Sequence, residues 1–177
     1  MYKSKNLIDK WHLAGFFWIV IVGSLLHFTY EWSAYSNLVA VFSAINESVW
    51  EHLKLGYFAL SFFILIEYWF LRKETENYAL AKTVGIIDMS LFIVIFHYAY
   101  KFIFKRTSVI YEIGLFIVGA LICQYLSSRI MKKKASRSIN RAAFIVYIVI
   151  GILFGVFTFY PPNFILFKEA ILIMPFR

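Results

Sequence analysis

Five apolar runs of about twenty residues alternate along the chain with short polar or basic segments. The runs cover about residues 11–31, 53–71, 83–104, 109–128 and 142–160. A helix of about 20 residues, at 1.5 Å rise per residue, spans the roughly 30 Å hydrocarbon core of a bilayer. The pattern therefore predicts an all-α fold, a polytopic membrane helical bundle with about five transmembrane helices, in a single domain over residues 1–177.

Two further apolar segments, 36–45 and 164–176, are too short to cross a bilayer. Ten residues of helix extend about 15 Å, which is half of the hydrocarbon thickness. We expect segment 36–45 to be re-entrant, to lie in the membrane interface, or to be an early extension of the second transmembrane helix. Pro161 and Pro162 end the fifth helix before the second short segment begins.

Composition supports a membrane protein. Hydrophobic residues make up 62% of the chain and charged residues only 16%, against roughly a quarter charged in soluble domains. The net charge of +8 does not indicate a nucleic-acid partner, because the basic residues occupy the gaps between apolar runs and form no soluble basic face. The densest basic group lies in residues 129–141, where we expect contact with anionic lipid headgroups.

The distribution of Lys and Arg predicts the orientation in the cell membrane. Of the 18 such residues, twelve fall on the side of the N-terminus and of loop 129–141, and six fall on the opposite side. Because cytoplasmic loops carry the excess of positive charge, we expect a cytoplasmic N-terminus and an extracytoplasmic C-terminus. The sequence indicates no oligomeric state.

Histidine and glutamate residues collect near the predicted extracytoplasmic ends of the helices. They are His27, Glu31, Glu47, Glu51, His52 and His97. His27 and Glu31 are four residues apart, as are Glu47 and Glu51, so each pair is expected to project side by side on a helix. Imidazole and carboxylate groups together bind divalent metals. We expect a site for a divalent metal such as zinc, with His27, Glu31, Glu47, His52 and His97 as candidate ligands and Glu47 and Glu51 as candidate catalytic carboxylates.

Structural roles compete with this interpretation. Ser48 and Glu51 have the spacing of a capping box, which would start the second helix. His27 and His97 could each be a buried imidazole that hydrogen bonds satisfy. Glu67 lies near Arg72 and Lys73 in the sequence, so we expect its carboxylate to extend toward those cations at the membrane surface.

Three sequence blocks resemble a family of small prokaryotic multi-pass membrane proteins known as a domain of unknown function. The blocks are His27 to Ser33 (HFTYEWS), Asn46 to Leu55 (NESVWEHLKL) and Phe157 to Pro162 (FTFYPP). The resemblance implies a multi-pass membrane protein and no particular activity. Ser48 and His52 also resemble the Ser-x-x-x-His motif of ceramidase-like membrane hydrolases, which implies a zinc site; those proteins have seven spans and a later His-x-x-x-His that this chain lacks.

Three classes of function fit these observations. The first is a metal-dependent membrane hydrolase that acts on a lipid-like substrate at the outer leaflet. The second is a small ion-linked or proton-linked carrier. The third is a non-catalytic membrane subunit whose polar residues fix helix packing. We favour the hydrolase over the carrier, because the polar site lies at one membrane face and no ladder of charged residues continues to the other face.

Overall fold

A computed structural model describes residues 2–134 and 136–168, with side chains from Lys5 onward. Within those residues the protein is all-helical, with six α-helices, one short 3-10 helix and no strand. The α-helices are α1 (Tyr2–Trp32), α2 (Asn37–Ala40), α3 (Val49–Leu71), α4 (Tyr78–Phe104), α5 (Val109–Met131) and α6 (Arg137–Phe159). The 3-10 helix covers Ile165–Phe167. Five of these helices, all except α2, are long and apolar enough to cross a membrane.

The predicted membrane helical bundle of five spans is therefore confirmed at the level of the fold. Each observed helix is longer than the apolar run that predicted it; α1 begins at Tyr2 and α6 at Arg137. The extra turns contain polar and charged residues, which are good helix formers outside the hydrocarbon layer. Helix ends consequently extend beyond the hydrophobic segments from which they were predicted.

Helix α3 occupies the centre of the bundle. Half of its most apolar 18-residue window is buried, compared with 22% for α1 and for α6. Trp18 of α1 donates a hydrogen bond to the Ala59 carbonyl of α3 (3.0 Å), and Tyr57 of α3 stacks on Tyr147 of α6 with ring centroids 4.7 Å apart. The central position of α3 allows residues at its N-terminal end to meet side chains from α1 and from α6.

The predicted short segment does not form a transmembrane helix. It contains the single-turn helix α2 and is not an extension of α3, because α3 begins at Val49 with Ser48 as its N-cap. Ser43 anchors the segment to the end of α1: its hydroxyl donates to the Leu26 carbonyl (2.5 Å) and accepts from the Tyr30 amide (2.9 Å). The segment therefore folds back over the end of α1.

The turn after α1 makes this return. Ala34 and Tyr35 have φ values of 53° and 62°, in the left-handed region that costs non-glycine residues about 1 kcal/mol or more each.

After α6, Phe167 of the 3-10 helix lies with its ring centroid 4.8 Å from that of Trp50 on α3. The remainder of the apolar tail predicted at 164–176, from residue 169 onward, lies outside the described residues.

In the described part of the chain, two ion pairs are fully buried inside the bundle. Glu51 Oε2 lies 2.6 Å from Lys54 Nζ, and Glu67 Oε2 lies 2.5 Å from Lys82 Nζ. The expectation that Glu67 extends to surface cations after α3 is wrong, because its side chain faces the interior, where Lys82 of α4 reaches it. Lys54 and Lys82 are among the 18 basic residues that predict the orientation, but both are buried. One lies on each side of the bilayer in that prediction, so the positive bias toward the side of the N-terminus remains.

Candidate functional site

The candidate site lies where the end of α1 meets the beginning of α3. Ser48 caps α3 by accepting a hydrogen bond from the Glu51 amide (3.3 Å), and the Asn46 side-chain oxygen accepts from the Ser48 amide (3.0 Å). The predicted N-cap is therefore present, although the Glu51 carboxylate does not return to Ser48. It accepts instead from the Ile45 amide (3.1 Å). These bonds hold Glu47 in a compact turn directly before α3.

Glu47 bridges two histidines from different helices. Its Oε1 lies 3.4 Å from His27 Nε2 on α1, and its Oε2 lies 3.5 Å from His52 Nε2 on α3. The two imidazole ring centroids are 5.2 Å apart. The side chains of His27, Glu47 and His52 are 27%, 41% and 34% exposed. We call these three residues the His27–Glu47–His52 triad; it is half-buried and open to small molecules.

The spacing of the triad suits a metal ion. One potential ligand atom from each residue lies within 4.8 Å of the other two. In a tetrahedral site with bonds of about 2.1 Å, ligand atoms lie about 3.4 Å apart. Each imidazole lies about this far from Glu47, but the two imidazoles contact different carboxylate oxygens. The three ligand atoms, which lie within 4.8 Å of one another, would move closer together to complete such a site.

A hydrogen bond fixes the tautomer of His52. Its Nδ1 lies 2.9 Å from the Ser48 carbonyl oxygen. A carbonyl only accepts, so Nδ1 carries the proton and the lone pair of neutral His52 lies on Nε2, which faces Glu47. Metal-binding histidines commonly donate their second ring N–H to a carbonyl in this way. His27 Nδ1 is buried and has no hydrogen-bond partner among the described residues.

The other predicted site residues do not join the triad. Glu31 is exposed on the last turn of α1. Glu51 faces the interior, where its carboxylate contacts Lys54 and Thr158. His97 Nδ1 lies 2.9 Å from Glu112 Oε1, at the junction of α4 and α5. The structure thus brings together three of the six candidate residues, and those three lie on α1 and around the start of α3.

Sequence reasoning missed the residues that support the triad. Lys54 Nζ donates to the Ala40 carbonyl and to the Thr158 hydroxyl, both at 2.8 Å, and the Thr158 hydroxyl donates to Glu51 Oε1 at 3.0 Å. A lysine inside an otherwise apolar run was the available signal, because a buried ammonium group requires a partner. Thr158 gave no such signal, since threonine is unremarkable in a transmembrane helix.

Comparison with known proteins gives the family of this chain and no activity. The chain belongs to a family of unknown function, DUF6512, whose model matches residues 1–173. No curated protein matches the chain, and no solved structure matches it. The family match covers all the described helices and all three triad residues.

Proposed function

We propose that this protein is a metal-dependent membrane enzyme that binds a divalent metal such as zinc at the His27–Glu47–His52 triad and hydrolyses a lipid-like substrate. The observation that carries the proposal is the contact of one carboxylate with two imidazoles from different helices, at 3.4 and 3.5 Å. Two histidines and one glutamate form the ligand set of several zinc hydrolases. Three protein ligands leave the fourth coordination position of the metal for water or substrate.

The ligand set and its surroundings fit hydrolysis. A divalent metal bound there would activate a water molecule and polarise a carbonyl or phosphoryl oxygen of the substrate. Glu47 and the two histidines would hold the ion, and the Ser48 carbonyl would keep His52 in the ligating tautomer. Of the candidate carboxylates outside the triad, Glu31 is exposed, on the same end of α1 as His27, and would act as general base. The buried Glu51 orients the turn that carries Glu47.

The position of the triad favours an amphiphilic substrate. Phe28, next to His27, is exposed; its ring centroid lies 5.1 Å from that of His27 and 5.9 Å from that of Trp32, which is also exposed. Exposed aromatic side chains at the end of a membrane helix lie at the level of lipid headgroups. A lipid-like substrate could therefore reach the triad from within the bilayer. From the charge bias we place this face outside the cytoplasm.

Metal analysis of the detergent-purified protein tests the proposal. After incubation with Zn²⁺ and removal of free ion, we expect about one bound zinc per chain, and at least tenfold weaker binding in Glu47→Gln and His52→Ala. His97→Gln is the matched control, because His97 also pairs with a glutamate but lies outside the triad. The proposal fails if the wild-type protein retains no zinc, or if the control loses zinc as the triad variants do.

One observation favours the carrier as the second candidate. Charged residues are buried at two depths of the bundle, in the Glu51–Lys54 pair and in the Glu67–Lys82 pair. Buried charges of this kind occur along ion and proton pathways. Proton or ion flux across vesicles that contain the purified protein, together with no metal binding, would favour the carrier over the hydrolase.

A further inference from the structure

A long apolar groove lies between α3 and α6, and residues of the first turns of α4 also line it. Its volume is about 1500 Å³, larger than the roughly 300–1,000 Å³ of pockets for drug-sized ligands. On α6 its lining extends from Asn140 to Phe159, which corresponds to about 30 Å of helix and to the hydrocarbon thickness of a bilayer. The groove is thus as long as the membrane is thick.

Two tyrosine side chains connect α3 and α6 at the middle of this groove. Tyr57 and Tyr147 stack between the two helices, and the Tyr57 hydroxyl donates to the Tyr147 carbonyl at 2.8 Å. The Tyr147 hydroxyl is hydrogen-bonded to Ser61 at 2.7 Å. The polar atoms in the middle of the groove therefore already have partners, and the surface that remains for an occupant is apolar.

Charge is present at only one end of the groove. Arg141 lines that end and is exposed. Arg72 does not line the groove but borders it at the C-terminal end of α3, where its guanidinium carbon is 4.8 Å from the centroid of the lining residue Trp69. Lys82 also lines the groove, but it is 1% exposed and pairs with Glu67. The opposite end is lined by uncharged residues, namely Val41, Val156, Phe159 and Tyr160.

We propose that this groove binds one anionic phospholipid, with its phosphate at Arg141 and Arg72 and its acyl chains along α6. An acyl chain that enters from one membrane surface extends about 15 Å, half of the hydrocarbon thickness, which corresponds to about ten helical residues. It would therefore cover the lining from Arg141 to Gly151. Arginine suits the headgroup, since its guanidinium binds phosphate oxygens in pairs. The proposal does not depend on the triad, none of whose residues lines the groove.

Native mass spectrometry tests the proposal with defined lipids. Detergent-purified protein is stripped of lipid and incubated with phosphatidylglycerol or with the neutral phosphatidylcholine. We expect one phosphatidylglycerol to be retained in preference to phosphatidylcholine, and Arg141→Gln to weaken this retention about tenfold. Arg129→Gln is the charge control, because Arg129 is exposed at the end of α5 and contacts Tyr125 of its own helix. The control should bind as the wild type does.

A second pair of variants tests the acyl-chain portion of the groove. Ile148 and Val149 are neighbours on α6 with similar exposure, 44% and 47%, but only Ile148 lines the groove. Ile148→Trp should fill the groove and abolish the bound lipid, whereas Val149→Trp should leave it unchanged. Equal thermal unfolding of all variants confirms that they are folded.

Three results would overturn the proposal. Equal retention of the two lipids by the wild type would show that the groove does not select an anionic headgroup. Equal loss in Arg141→Gln and Arg129→Gln would show general electrostatic attraction to the basic surface. A dimer that Ile148→Trp dissociates, with no bound lipid, would show that a second copy of the chain occupies the groove.

Discussion

Replacing Lys82 with methionine should destabilise the bundle severely, because it leaves a carboxylate without a cation inside the membrane span. Glu67 and Lys82 are 0% and 1% exposed, with Oε2 and Nζ 2.5 Å apart. The Tyr78 hydroxyl donates to the same Oε2 at 2.8 Å, and Glu67 Oε1 has no hydrogen-bond partner among the described residues. After Lys82→Met, one hydroxyl would be the only described polar contact of the Glu67 carboxylate.

The expected cost follows from this isolation. Breaking a buried ion pair by removing one partner costs about 3–5 kcal/mol, whereas replacing both partners with neutral residues of similar volume is often neutral or stabilising. Glu67→Gln/Lys82→Met removes both charges and leaves an amide oxygen to accept from Tyr78, a hydrogen bond with a net value of about 1 kcal/mol. We therefore expect the double variant to be within about 1 kcal/mol of the wild type.

Equilibrium unfolding in mixed micelles with increasing dodecyl sulfate measures this order of stability. Lys101→Met is the control, because Lys101 is on the same helix but exposed, and it should unfold as the wild type does. If Lys82→Met is no less stable than the double variant, the isolated carboxylate carries no cost. The view that Lys82 compensates a buried charge would then be refuted.

Two further predictions concern helix packing and topology. An ideal Cβ at Gly85 would lie 2.8 Å from the Cys123 carbonyl oxygen, whereas one at Gly114 meets nothing within 4 Å. Gly85→Ala should therefore cost about 1–3 kcal/mol of stability in the unfolding assay. Gly114→Ala should be neutral or stabilising by up to about 1 kcal/mol. Equal effects would contradict the close packing of α4 on α5. The positive bias predicts that a cysteine at position 134 reacts with impermeant maleimide only in opened cells, and that a cysteine at position 177 reacts in intact cells. Labelling of position 134 in intact cells would show that the orientation is the opposite one.

The five spans could be predicted from the sequence because their signal is simple. A run of about twenty apolar residues is a strong indication of a transmembrane helix, and it requires no knowledge of its neighbours. The orientation of each helix about its axis could not be predicted in this way. Where both the lipid-facing and the interior-facing sides are apolar, periodicity does not distinguish them. Glu67 shows the consequence: its expected partners were near in sequence, and its actual partner Lys82 belongs to another helix.

The same limit explains why only part of the predicted cluster assembled. Glu51 and His52 are adjacent, and neighbouring residues on a helix point about 100° apart. His52 therefore faces α1 and the triad, while Glu51 faces Thr158 of α6. The expectation that Glu47 and Glu51 project side by side required both to be helical. Ser48 is the N-cap, so Glu47 precedes the helix and its direction is set by the turn.

The position of Glu47 thus depends on the buried pair beneath it. Glu51 accepts from the Ile45 amide, and Lys54 donates to the Ala40 carbonyl, so both partners of the ion pair bind the backbone of the chain that leads to Glu47. Apart from these bonds, the Ser43 hydroxyl holds the segment before α3 to the end of α1 through the Leu26 carbonyl and the Tyr30 amide. A buried charge pair is expensive in an apolar bundle. Its orientation toward this loop is physically reasonable if Glu47 must be held between two histidines within a few tenths of an ångström, as metal coordination demands.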